Sequence, residues 1–109
     1  METIRPEVDL EPGEDLVVEG SVWAGWGRRR ALGQLVVTNR RLLLHTPRLF
    51  GKDRVVEIAA AAVVGVSPPD AGDVVDLRYV APGGRQATVY LAPVRWSAVE
   101  LYHALAALS

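Results

Sequence analysis

Apolar residues in this chain recur at every second position, in short runs divided by turn-forming residues, until a C-terminal segment where the repeat changes to that of a helix. A period of two sends one side of an extended segment into a core and the other into solvent. The first strand runs from Leu16 to Ala24, with Leu16, Val18, Val22 and Ala24 on one face. Ala31 to Thr38 forms the second, with Leu35 and Val37 facing one way and Gln34 and Thr38 the other. Arg41 to Thr46, Arg54 to Ile58 and Val63 to Ser67 make the third, fourth and fifth, the last two joined by a corner at Ala59–Ala62. Asp73 to Val80 and Gln86 to Leu91 complete the set. Between the last two, Pro82-Gly83-Gly84 has the chemistry of a type II turn.

In the C-terminal segment, Ala98, Leu101, Tyr102, Leu105 and Leu108 fall on one helical stripe, which predicts a helix over about 95–108. Its start has two candidates: Pro93 at the first helical position, or Ser97 as a cap with Glu100 three residues on. The expected architecture is mainly β, a seven-stranded antiparallel barrel capped by one C-terminal helix. An acidic lead (1–13) precedes a single domain (14–109).

A length of 109 residues with half of them hydrophobic suits one domain with a core of its own. Cysteine is absent, which excludes disulfides and thiolate-bound zinc and fits a reducing cytoplasm. The first residues carry neither the basic nor the apolar region of a signal peptide, and no apolar run approaches the roughly 18–20 residues of a bilayer span. A cytoplasmic protein is expected, able to sit peripherally at the inner face of the membrane.

The net charge of −1 conceals a strong polarisation. Residues 1–19 carry Glu2, Glu7, Asp9, Glu11, Glu14, Asp15 and Glu19 against Arg5 alone. Residues 20–52 carry Arg28, Arg29, Arg30, Arg40, Arg41, Arg48 and Lys52 and no acid. Such an asymmetry marks either an interaction surface or a solvated surface whose charges balance in three dimensions.

Gly33-Gln34-Leu35-Val36-Val37-Thr38-Asn39-Arg40-Arg41-Leu42 resembles the strand–turn–strand signature of GRAM domains and related bacterial PH-like proteins. Pro12-Gly13-Glu14-Asp15-Leu16 is similar to the family's lead into its first strand, and Val56 to Val63 to its passage from fourth strand to fifth. The resemblance spans residues 12–108. It implies a PH-like barrel of two packed sheets and a docking module for phospholipid headgroups or protein segments. Within the motif, Asn39 reads as the turn residue, Thr38 as a strand former and Leu42 as core. The lysine with which eukaryotic PH domains grip phosphoinositides late in the first strand has no counterpart between Trp23 and Gly27.

Residues able to do chemistry are scattered. His45 and His103 have no partners at metal-binding spacing, and no serine lies in a nucleophile elbow. Asp73 and Asp76, three apart in an expected strand, point to opposite faces, and Gly83-Gly84 lacks the Lys-Ser/Thr of a phosphate loop. The reading is therefore of a non-enzyme with no cofactor and no metal.

In an antiparallel meander the loops after the first and third strands open at the same end, and in PH folds the loop between the sixth and seventh joins them. One mouth would then gather Arg28, Arg29, Arg30, Arg48, Lys52 and Arg85 around Trp26, Leu49 and Phe50. Basic groups around apolar side chains suit an anionic lipid surface; the other reading places Trp26 and Phe50 as lids on the core, and large aromatics such as Trp26 are usually mostly buried. The alternative partner is an acidic protein segment, including the acidic arm of a second copy, which would build a homo-oligomer. A pI near 6.1 argues against a dedicated nucleic-acid binder.

Overall fold

The structure, a computed structural model, describes residues 10–47 and 54–108. Seven antiparallel strands form one sheet: β1 (Leu16–Trp26), β2 (Arg29–Thr38), β3 (Arg41–Thr46), β4 (Arg54–Ala59), β5 (Val63–Ser67), β6 (Val75–Val80) and β7 (Gln86–Pro93). A single 3₁₀ turn at Ala60–Ala62 links β4 to β5, and the helix α1 (Ala98–Ala106) follows β7. The strand order is β4-β3-β2-β1-β7-β6-β5. The ladder ends there: β4 and β5 are its two edges and are not hydrogen-bonded to each other, so the sheet is not closed into a barrel.

The middle strand, β1, serves both halves. It pairs with β2 from Leu16 to Trp26 and with β7 only from Val22 to Gly25. The sheet wraps so that Leu35, Val37, Leu42, Leu44 and Ile58 from one half share a single core with Val75, Leu77, Val89 and Leu91 from the other. Leu101 and Leu105 of α1 are fully buried in the same core. Among the described residues no helix is long and apolar enough to cross a membrane.

Several sequence expectations shift. Leu16 does not share the inner face of β1. The register slips between Leu16 and Val18, opposing an extra residue to β2, and this bulge leaves Leu16 47% exposed. Thr38, expected opposite to Val37 and away from the core, is also fully buried, where its hydroxyl donates to the buried Glu14 carboxylate. Asp73 lies outside β6, in a turn with φ 58° that Asp70 holds by accepting from the backbone N–H groups of Gly72 and Val74. Of the two helix starts, Ser97 is the one used: its Oγ accepts from the Glu100 N–H at 3.2 Å, while Pro93 ends β7. The type II turn at Pro82-Gly83 forms as expected, with Gly83 at φ 98° and the Gly84 N–H donating to the Ala81 carbonyl at 3.0 Å.

Gly33 shows why a glycine belongs in β2. A Cβ there would lie 2.7 Å from the His45 carbonyl oxygen and 2.9 Å from the Thr46 methyl carbon. Strand backbone cannot step aside as a flexible side chain can. Gly33→Ala is expected to cost about 1–3 kcal/mol, as overpacking of a filled interior does. A thermal melt checks it: an unchanged midpoint would show that β3 moves freely at this point.

Candidate functional site

The β1–β2 hairpin supplies the densest positive charge. Trp26 pairs with Arg29 across it, so only Gly27 and Arg28 form the turn. Gly27 has φ 61° and Arg28 does not share the positive φ, the pattern of a type II′ turn, whose twist matches that of the flanking strands. The three arginines are therefore not all loop residues, as the sequence reading had them. Arg28 sits at the tip, while Arg29 and Arg30 open β2. All three are exposed, and among the described residues no carboxylate pairs with them.

Strand register fixes what lies near. β7 runs antiparallel to β1 with Tyr90 opposite Gly25, so its earlier residues continue past the end of β1. The β6–β7 turn, with exposed Arg85 beside it, therefore opens at the same end of the sheet as the arginine hairpin. Thr46, which pairs with Arg54, also faces this end. Arg48, Leu49, Phe50 and Lys52 fall between these two strands, outside the described residues.

An open groove runs along each side of the hairpin. One, of about 450 Å³, is lined by Trp26, Thr46, Pro47, Arg54 and the three arginines. The other, of about 360 Å³, is lined by Trp23, Gly25, Tyr90, Ala92 and the same arginines. Arg85 lines neither. The two tryptophans occupy opposite faces of β1. Trp26 follows Val22 and Ala24 on the inner face, packs against the core, and donates from its indole N–H to the Tyr79 hydroxyl at 3.0 Å. The Arg54 guanidinium lies 4.8 Å from the centre of its ring. Trp23 is on the outer face and 45% exposed, with Arg30 at 5.6 Å from its ring centre.

Two of these residues escaped the sequence reading. The sequence pattern marks Arg54 only as the opening residue of a strand, yet the pairing of Thr46 with Arg54 brings it beside Trp26. Trp23 falls on the face of the first strand opposite Val22 and Ala24, where the alternation alone does not separate a functional aromatic from solvent-facing surface. Among the described residues no group of three His, Cys, Asp or Glu could hold a metal ion.

The Thr38–Arg41 segment does something else. Glu14 is buried, with 5% of its surface exposed, and takes a two-pronged contact from Arg41 at 2.8 and 3.0 Å. Thr38 donates its hydroxyl to the same carboxylate at 2.7 Å, and the Glu11 N–H adds a fourth donor at 3.0 Å. Asn39 accepts from the Asp15 N–H at 2.8 Å and donates to the Gly13 carbonyl at 3.2 Å. The hydrogen bonds from Arg41, then Thr38, then the Glu11 backbone hold the Glu14 carboxyl at about 2, far below its ordinary 4.5. The same carboxylate, with Glu57 on its other side, raises the Arg41 guanidinium above its ordinary value. This is a clasp that ties the lead segment to the β2–β3 turn, and it has no free valence for a ligand.

The sequence matches no family model and no curated protein.

Proposed function

We propose that this chain is a PH-like docking module of the GRAM kind, a sheet folded into two packed layers and capped by α1, which binds an anionic membrane surface through the basic end of the sheet. The observation that carries the proposal is the arginine hairpin: three adjacent guanidinium groups, exposed, unpaired by carboxylates among the described residues and flanked by two open grooves. The module is non-catalytic, and Arg28, Arg29, Arg30 and Arg85 meet lipid phosphates or headgroup carboxylates. At ~1 kcal/mol per basic residue near an anionic surface, four arginines give ~4 kcal/mol, or roughly millimolar binding. Charge alone is thus too weak, and an apolar contribution is required.

Reversal of the three hairpin arginines to glutamate tests this reading. Sedimentation with phosphatidylcholine vesicles should be negligible, sedimentation with vesicles containing phosphatidylserine should be clear, and the triple variant should lose the latter. Its melting temperature should stay within a degree or two, because none of the three side chains is buried or, among the described residues, ion-paired. An equal loss of stability would make the arginines structural, and no binding by the unaltered protein would end the membrane reading.

A second reading, a protein-binding or self-assembling adaptor, draws on the sheet edges. Val55 on β4 and Val64 on β5 are both exposed on strands that have a neighbour on one side only. Such edges accept a further strand. Light scattering coupled to size-exclusion chromatography separates a monomer from an assembly built this way.

A further inference from the structure

We infer that the outer face of β7-β1-β2, centred on Trp23 and Tyr90, is the surface that enters the headgroup layer of an anionic membrane, with Trp23 rather than Trp26 as the interfacial aromatic. The inference rests on the membrane reading above and supplies the apolar contribution that the arginines alone lack.

The register places the parts. On the outer face Trp23 lies between Leu32 of β2 and Ala92 of β7, and Gly25, one pleat further toward the hairpin, lies between Arg30 and Tyr90. Gly25 carries no side chain, so the aromatic residues stand at the rim of a depression that opens directly onto the arginines. Trp23, Leu32 and Tyr90 are 45%, 48% and 42% exposed, an unusual concentration of large apolar surface on adjacent strands. Asp76, opposite Tyr90 on β6, bounds the patch on the side away from the hairpin's charge.

The chemistry of the patch matches one occupant. Among the described residues the Trp23 indole N–H has no acceptor, and the charged group over its ring is the Arg30 guanidinium, a donor. A partner must therefore bring acceptors and negative charge together with apolar surface. An anionic lipid headgroup region offers phosphate oxygens over acyl chains, and tryptophan and tyrosine rings settle at that depth because one end is apolar and the other wet. Trp26 is unsuited to the task. Its indole N–H is already donated to Tyr79, its ring is covered by Arg54, and it packs against the core.

Fluorescence reads Trp23 directly, since the chain has three tryptophans and Trp26 and Trp96 are partly buried. With vesicles of phosphatidylcholine and phosphatidylserine, emission should shift to the blue and be quenched by brominated acyl chains, and Trp23→Phe should remove most of both changes. Trp23→Ser and Tyr90→Ser together should weaken vesicle partitioning by ~tenfold or more at an unchanged melting temperature, the loss expected when exposed apolar surface no longer leaves water. Binding that persists undiminished in the double variant, with no signal assignable to Trp23, overturns this inference and leaves the arginine reading standing. Failure of the unaltered protein to bind anionic vesicles overturns both. Quenching of Trp23 by a single-stranded oligonucleotide but not by vesicles would reassign the patch to base stacking and also overturn the inference.

Discussion

Glu14→Ala is expected to lower the melting temperature by about 10 °C or more, a larger effect than any other single polar substitution among the described residues. The side chain is buried, and four donors converge on its two oxygens: two from Arg41, the Thr38 hydroxyl and the Glu11 N–H. Removing it takes away the one acceptor on which the four donors converge. A buried group left without its partner costs far more than the net worth of the bond it made. In a domain this size each kcal/mol moves the midpoint by several degrees. The double variant Glu14→Ala/Arg41→Met should recover part of the loss, because it also removes the two guanidinium donors that the Glu14 carboxylate satisfied. A melt of Glu14→Ala within a degree or two of the unaltered protein would show that the lead segment is not fastened through this carboxylate.

The same group gives the domain a pH signature. Its carboxyl titrates at about 2 in the folded chain against an ordinary 4.5. As pH falls below about 4.5, the unfolded chain takes up the proton first, so the stability contributed by Glu14 is present above that value and is lost progressively down to about 2. Melting temperature followed across this window should fall steeply in the unaltered protein and less steeply in Glu14→Gln, which cannot titrate there. Parallel curves would assign acid unfolding to other carboxylates.

The clasp also accounts for part of the charge polarisation seen in the sequence. Arg41 is engaged by Glu14 and Glu57, and Arg40 lies 3.7 Å from Glu11. Acids of the lead and bases of the β2–β3 turn thus neutralise one another within the fold, the bland alternative for this part of the sequence. Arg28, Arg29 and Arg30 are not consumed in this way. Two of the seven bases are thus structural, and three of the others are concentrated on one hairpin.

Strand number, the 3₁₀ corner, the Pro82-Gly83 turn and the helical stripe were legible because each depends on local spacing or on a residue with a special backbone conformation. What was not legible depends on phase or on distant partners. The glycines and arginines after Ala24 read as the end of the first strand. Carrying the alternation two residues further would have put Trp26 on the inner face with Val22 and Ala24, and Trp23 on the outer. Leu16 departs from the alternation because a bulge shifts the phase, and nothing in Leu16-Val17-Val18 announces one. Glu14 looked like one more acid in an acidic lead. Its burial follows from a turn that lies 24 residues away at Thr38, which no local pattern reports. That the sheet stays unclosed between β4 and β5 is likewise a property of the assembled strands and not of either segment.

Leu105→Ala carries the second large effect. The inner residues of β1, β6 and β7 would meet water on one side were it not for α1, which packs against β5, β6, β1 and β7. Leu101 and Leu105 are the helix residues with no exposed surface, and Ala98 and Ala104 beside them are too small to spread into a vacated space. Truncating Leu105 removes apolar contacts and leaves a cavity whose walls are strands locked in a ladder, so collapse around it is limited. The expected cost is about 2–5 kcal/mol, enough to approach the whole stability of a small domain. Leu105→Met, close in volume and flexible, should cost under ~1.5 kcal/mol. Paired denaturant titrations decide the matter. A large loss for Ala with a small one for Met identifies α1 as the element that seals the core. Near-equal, small losses for both would mean that the sheet sustains its core without the helix, and the role given to α1 would have to be abandoned.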